Sequence, residues 1–303
     1  FVHQSPGGYF WRQGSSKRQM PPEYLARLFQ QRSQARLIRF DEQPVPNTAP
    51  SDLSPALWGR FTTRSDEADD VVLMKRNLLA KDESGQVRAS VAGVLMCCAA
   101  PERLLRGVFI EAVRYRGIVQ DSNYQLDAVR IGGPLDEQVR QAMAFLHRNQ
   151  RVSATKEPQR IEYPQFSVRA VFEAMVNAVA HRDYSIHGSK IRFFLFDDRL
   201  EIYSPGALPN TISIESIALR QATRNELLTS LLAECPVDET AGNVGRGYYM
   251  EKRGDGVPII LRESEGLSGR QPSYRLIDDT ELLLTIYAAL PPLDAAAPPN
   301  QVA

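Results

Sequence analysis

The chain of 303 residues is poor in the residue types that build secreted scaffolds and metal centres: three cysteines, four histidines and two tryptophans. An odd number of cysteines with no metal-ligand spacing excludes a disulfide framework and a structural zinc site. Cys97 and Cys98 sit in the apolar run VAGVLMCCAA, where a thiol serves as a small hydrophobe. Net charge is also missing, with 36 basic residues against 36 acidic, so the chain as a whole does not attract nucleic acid. Signal peptide, membrane-length apolar run and internal repeat are all lacking, and the expected compartment is the reducing cytoplasm, with no membrane partner. There is no G-x-x-x-x-G-K-[ST] stretch, which leaves helicase activity of the P-loop kind unsupported.

What is present is an ordinary soluble composition, 43% hydrophobic and 24% charged, and a length that accommodates two domains of about 100–200 residues. The chain starts at Phe1 and enters structured-looking sequence at once, so it is expected to be the C-terminal part of a longer protein. Residues 1–45 join an aromatic, basic hairpin, GGYFWRQGSSKRQM, to a helix opened by prolines, PPEYLARLFQQRS. Between Trp11 and Phe40 seven basic residues stand against Glu23 alone, which suits a phosphate backbone, and Tyr9, Phe10 and Trp11 are available to stack on bases. A solvated helix face beside a small aromatic cluster is the alternative. Residues 46–155 read as a proline-rich linker and a connecting α/β region. It holds helices at 54–60, 69–79, 90–98 and 135–148, and strands within 105–119 and YQLDAVRIGG.

Residues 156–290 are organised around the helix VRAVFEAMVNAVAHRDY. At 100° per residue Val168, Val171, Phe172, Met175 and Val179 fall on one face, the side that packs on a sheet. Glu173, Asn177 and His181 follow one another at four-residue spacing on another face. A carboxylate and an amide one turn apart can hold a hydrated divalent cation against a phosphate; a solvated face is the bland alternative. Then comes the hairpin KIRFFLFDDRLEIY with its turn at Asp197-Asp198-Arg199, helices at 213–219 and 225–233, a glycine-rich stretch, and two strands around Asp278-Asp279. Residues 291–303 read as a disordered tail.

The runs E-A-M-V-N-A-V-A-H-R-D-Y-S (173–185), F-D-D-R-L-E-I (196–202) and S-P-G-A-L-P (204–209) resemble the RecG-related C-terminal family of ATP-binding domains. That family is a divergent branch of the GHKL-type superfamily containing DNA gyrase B, MutL and the histidine kinases. Y-F-W-R-Q-G-S-S-K-R and the helix after it resemble the closing segment of a Schlafen-type AlbA-like domain. The resemblance implies a two-layer α/β sandwich, a mixed and mostly antiparallel sheet with helices on one face, plus a smaller N-terminal α/β segment. The other face would be partly open or covered by the 135–148 helix.

It also implies ATP and magnesium as ligands. Asn177 would hold the metal and contact the nucleotide, and Glu173 would orient or deprotonate an attacking water. Two glycine clusters compete for the phosphate loop, Gly242, Gly245 and Gly247 in G-N-V-G-R-G, or Gly254 and Gly256 in K-R-G-D-G, with Arg246, Lys252 or Arg253 to neutralise charge. His181 and Arg224 are further candidate ligand contacts. Alternatively, His181-Arg182-Asp183 closes the helix and Asn225 caps the next one.

The stretch Tyr203-Ser204-Pro205-Gly206-Ala207 departs from the superfamily's D-x-G-x-G, so no carboxylate stands ready to read adenine. The expected function is a nucleotide-binding regulatory protein, a transcriptional regulator that binds DNA mainly through a domain expected upstream of Phe1, with weak ATPase activity and homo-oligomerisation as open options. The alternative is a degenerate scaffold that binds no nucleotide.

Overall fold

The computed structural model describes residues 8–13, 16–22, 25, 39–62, 67–155, 161–209, 212–238, 244–251 and 254–289. The chain divides into two units, Phe1–Arg39 and Phe40–Ala303. In the first, β1 (Phe10–Gln13) and β2 (Ser16–Gln19) pair antiparallel, with Phe10 opposite Gln19 and Gln13 opposite Ser16. Most of the helix expected after this hairpin, and the whole of the expected tail at 291–303, lie outside the described residues.

The second unit runs, in order, α1 (Pro55–Trp58), α2 (Asp69–Lys75), β3 (Leu79–Lys81), β4 (Val87–Ala89), α3 (Val91–Cys97), α4 (Pro101–Leu104), β5 (Ile110–Tyr115) and β6 (Gln125–Ile131). It continues with α5 (Leu135–Asn149), β7 (Val152–Thr155), β8 (Ile161–Pro164), α6 (Val168–His181), β9 (Ile191–Leu195), β10 (Arg199–Pro205), α7 (Glu226–Leu232), α8 (Gly256–Ser268), β11 (Ser273–Ile277) and β12 (Glu281–Tyr287). Among the described residues no helix is long and apolar enough to cross a membrane.

Six strands form one mixed sheet in the order β11-β12-β10-β9-β5-β6. Its neighbours are antiparallel except β5 and β9, which run parallel with Ile110 beside Ile191. That parallel step requires a long crossover, and α5, the β7–β8 hairpin and α6 lie within it. Aspartates stand in the turns of the β9–β10 and β11–β12 hairpins. Asp197 accepts from the Gly117 N–H at 2.9 Å and from Arg114 and Arg151 at 2.5 and 2.6 Å. Asp278 and Asp279 take left-handed φ values of 47° and 52°, which short polar side chains tolerate, and the Thr280 N–H closes the turn on the Ile277 carbonyl.

Both long helices of the crossover pack on one face of the sheet. Phe145 of α5 meets Phe193 of β9 at 5.9 Å between ring centroids, and Val171, Phe172, Met175 and Val179 of α6 join the same buried cluster. The 135–149 helix therefore shares a face with the central helix and does not cover the other side. On that other side Val113, Tyr115, Phe194 and Phe196 make a small separate cluster. It is covered by long polar side chains, with Arg199 stacked at 4.1 Å from the Phe196 centroid and Arg192 at 4.0 Å from that of Tyr203. The guanidinium groups themselves lie over the ring faces, a cation–π arrangement, and Arg192 pairs with Glu281 and Arg199 with Glu201.

Three local expectations are corrected. The helix expected at 69–79 stops at Lys75, and the polar turn after it belongs to the β3–β4 hairpin. The helix expected at 213–219 contains one regular turn, the 3-10 segment Ile214–Ser216. In the opposite sense, α8 stands where the sequence was read as glycine-rich loop. Gly256 and Pro258 suggest a loop, yet both fall in the first turn, where N–H groups lack helical partners and proline costs little. Ile259, Ile260 and Ser264 give the helix its buried side, and Gly269, at a left-handed φ of 70°, ends it by bonding to the Glu265 carbonyl.

Candidate functional site

The Ser167 hydroxyl caps α6 by accepting from the Ala170 N–H at 3.3 Å, and from there the helix runs almost wholly buried. Its polar stripe faces neither the sheet nor bulk water. Glu173, Asn177 and His181 line a cavity of about 570 Å³ between α6, the sheet strands β10 and β12, the segment after β10, and the start of α8. The far wall is largely apolar, with Ile202, Ala207, Leu208, Ile217 and Leu282. Ser204, in the stretch without a carboxylate, donates its hydroxyl to the Ala178 carbonyl at 3.1 Å.

Helix α8 enters at the polar end. Gly254, Asp255, Gly256 and Val257 line the cavity there, so the positive end of the helix dipole faces it. A Cβ on Gly256 would stand 3.2 Å from both the Asn177 Nδ2 and the Glu173 Oε2 atoms, so the close approach of α8 to the stripe needs a glycine. Of the two competing clusters, Gly254 and Gly256 are the pair that lines the cavity, with Gly256 next to Glu173 and Asn177 and Gly254 next to Gln221. Gly245 and Gly247 are exposed and outside the cavity lining, although Arg246 between them lines it. Lys252 and Arg253 lie outside the described residues.

Arg246 is the electrostatic centre of this end. Its Nε donates to Glu173 at 2.6 Å, its Nη2 to Asp255 at 2.8 Å, and its Nη1 to Glu251. The Arg246 side chain is 6% exposed and Glu173 is buried with it, so the bond between them is shielded from water, whereas Asp255 reaches solvent. Burial pushes the Glu173 pKa up, while the hydrogen bond and charge of Arg246 pull against it. For Arg246 burial opposes the charge, but the bonds from Asp255 and Glu173 outweigh it and its pKa is raised.

His181 ends the stripe with its Nδ1 buried and, among the described residues, without a hydrogen-bond partner. Burial first, and the Arg224 charge second, push its pKa down to about 4, which leaves a neutral imidazole. Arg224 is not among the residues lining the cavity; it holds Asp183 at 2.5 Å and donates to the Ala207 carbonyl.

The roles expected around H-R-D-Y change accordingly. Arg182 turns away from its own helix to the carbonyls of Gly107 and Ser189, at 2.8 and 2.7 Å. The carbonyls of Ala180 and Arg182 are satisfied by the Asn225 amide at 3.0 and 2.8 Å, and the Tyr184 hydroxyl bonds to Val179. Asn225 therefore makes no capping bond to α7. The buried Asp41 does so instead, accepting from the N–H groups of Leu227 and Leu228 at 2.9 and 3.1 Å. A carboxylate suits the positive helix end better than an amide, which is free to donate elsewhere. Asp183 accepts from the Ser185 N–H at 3.0 Å, the expected turn contact.

Gly206, Glu251 and Asp255 were not singled out as site residues, yet all three line the cavity. The alternation of acid and glycine in E-K-R-G-D-G was the available signal for the last two.

Comparison with known proteins bears on the later part of this site. Residues 188–286 match the family described as "Putative ATP-dependent DNA helicase recG C-terminal". The match takes in the β9–β10 hairpin, the 206–256 segment, α8 and the last two strands, and begins after the helix that carries Glu173, Asn177 and His181. No curated protein sequence matches the chain. Among solved structures, the DIP2311 protein from Corynebacterium diphtheriae is similar at a TM-score of 0.58 and 21% identity over 95% of this chain. This chain spans 55% of the length of that one, and at such identity the likeness is one of fold. Residues 188–286 are thus similar to a RecG-related C-terminal domain, set in an α/β fold that has already been seen.

Proposed function

We propose that the cavity beside α6 binds a nucleotide with magnesium, and that the protein is a regulator whose output depends on that binding. The observation that carries this reading is the convergence of the Glu173, Asn177 and His181 stripe with the N-terminal end of α8 on one cavity of about 570 Å³. The start of a helix favours phosphate through its free N–H groups and dipole, and Gly256 lets that start come close to Glu173 and Asn177. Asn177 fits magnesium, which takes hard oxygen donors, keeps several waters and needs few protein ligands when phosphates supply the rest. When bound, the metal would neutralise phosphate charge; Glu173 would accept a proton from water, and the apolar far wall would take the base.

The test is calorimetric titration of the chain with ATP, ADP and GTP in the presence and absence of magnesium. Magnesium-dependent binding is expected for the wild type and its loss in Asn177→Ala; unchanged affinity in that variant would remove Asn177 from the site. Turnover by Glu173 is a second, separable proposal. Glu173→Ala is expected to keep binding and lose phosphate release, and a wild type that binds but releases no phosphate leaves nucleotide sensing without hydrolysis. One observation favours the alternative of a ligand-free scaffold: Ser204 and its neighbours offer no carboxylate to an adenine amine. Absence of binding by all three nucleotides would put that reading first.

A further inference from the structure

Arg246 commits each of its three guanidinium nitrogens to a different carboxylate. Glu173 belongs to α6, Glu251 to the segment leading into α8, and Asp255 to the N-cap position of α8. The side chain is the electrostatic tie between the central helix and the 244–256 segment, and it lies in the cavity wall at the end where α8 begins. We propose that Arg246 is a latch released by phosphate. In the structure it holds Glu173 and the 244–256 segment together; a nucleotide's phosphates draw the guanidinium onto themselves, freeing the Glu173 carboxylate and loosening the segment from α6.

The inference rests on the reading of the cavity as a nucleotide site and adds to it how that site is controlled. A guanidinium fork binds phosphate oxygens in the same two-point geometry as carboxylates, so ligand and latch compete for one group. The other charges around Glu173 do not replace it. Arg169, on the same helix, is shared with Glu263 of α8 at 3.7 Å, and Asp255 is of like sign. A Glu173 carboxylate that loses Arg246 is therefore left buried without its counter-charge and becomes the stronger base, as accepting a proton from water requires.

The competition has a signature that simple charge repulsion lacks. Glu173→Gln removes one of the latch's holds on Arg246, so it is expected to tighten magnesium-nucleotide binding by about tenfold, the size of one charge-assisted hydrogen bond. In an Arg246→Gln background the same Glu173→Gln change is expected to have no effect on affinity. The experiment is this double-mutant cycle on the full chain with ATP and ADP, read by calorimetry. Equal tightening in both backgrounds means that Glu173 only repels phosphate, and it overturns the latch while leaving the site intact. No tightening in either background overturns it too. Should Arg246→Gln fail to fold, Arg246→Lys provides the second background. A lysine keeps the charge but offers its donors from a single nitrogen and lacks the planar fork that reaches Glu173, Glu251 and Asp255 from three nitrogens, and undiminished coupling there would overturn the latch. A wild type that binds no nucleotide ends both the latch and the reading beneath it, an outcome distinct from binding without coupling.

Discussion

His181 is held neutral at the end of α6, its pKa at about 4 against an ordinary value of 6.5. Between those two values the unfolded chain binds the proton and the folded chain does not. The stability contributed by the neutral ring is complete above pH 6.5 and is lost as the pH falls towards 4. Full passage through that window amounts to about 3 kcal/mol. His181→Gln, which cannot titrate, is expected to lose less stability than the wild type between pH 7 and 4.5, as measured by urea unfolding at several pH values. Parallel losses would mean that another group drives the acid sensitivity. The stripe to which His181 belongs was legible in the sequence because Glu173, Asn177 and His181 repeat at the helical period. Arg246 carried no such mark as a partner of Glu173: their ion pair spans 73 residues of chain, and no local pattern encodes it.

The same division between local and distant causes applies to whole elements. Helices α5 and α6 and the hairpins β9–β10 and β11–β12 were legible because each is fixed by its own periodicity and turn residues. Which side of the sheet α5 would cover was not, because that depends on the parallel step between β5 and β9. The start of α7 depends on a distant partner as well. Asn225 holds the N-cap position, as expected, but the side chain that accepts the cap bonds is Asp41, 186 residues from Leu227. Asp41 is fully buried with its Oδ1 unpaired, and burial raises its pKa against the pull of the Leu228 and Leu227 N–H groups. The capping bonds nevertheless satisfy two N–H groups that would be orphaned inside the core. Asp41→Ala is expected to cost about 1–2 kcal/mol, seen as a lower midpoint of thermal or urea unfolding. An unchanged midpoint would show that desolvation of the carboxylate cancels its capping bonds.

For the molecule as a whole, a net charge of zero conceals an uneven distribution. The seven basic residues between Trp11 and Phe40 face one acidic residue, which leaves 29 basic against 35 acidic for the rest of the chain. The long unit is therefore acidic overall and poorly suited to a polyanion outside local patches, whereas the sequence of the short one combines basic residues with Tyr9, Phe10 and Trp11. Any DNA binding by this chain is expected to reside in residues 1–39, and the proposed nucleotide binding in the unit that starts at Phe40. Affinity for duplex DNA, measured by fluorescence anisotropy over a range of salt, should fall with a log–log slope of about −0.9 for each phosphate neutralised. A chain beginning at Phe40 should lose that binding and keep its heat of nucleotide titration. If the shortened chain still binds DNA with the same salt slope, the contact lies on the acidic unit, and local arginines such as Arg192 and Arg199 on the helix-free face of the sheet become the residues to substitute next.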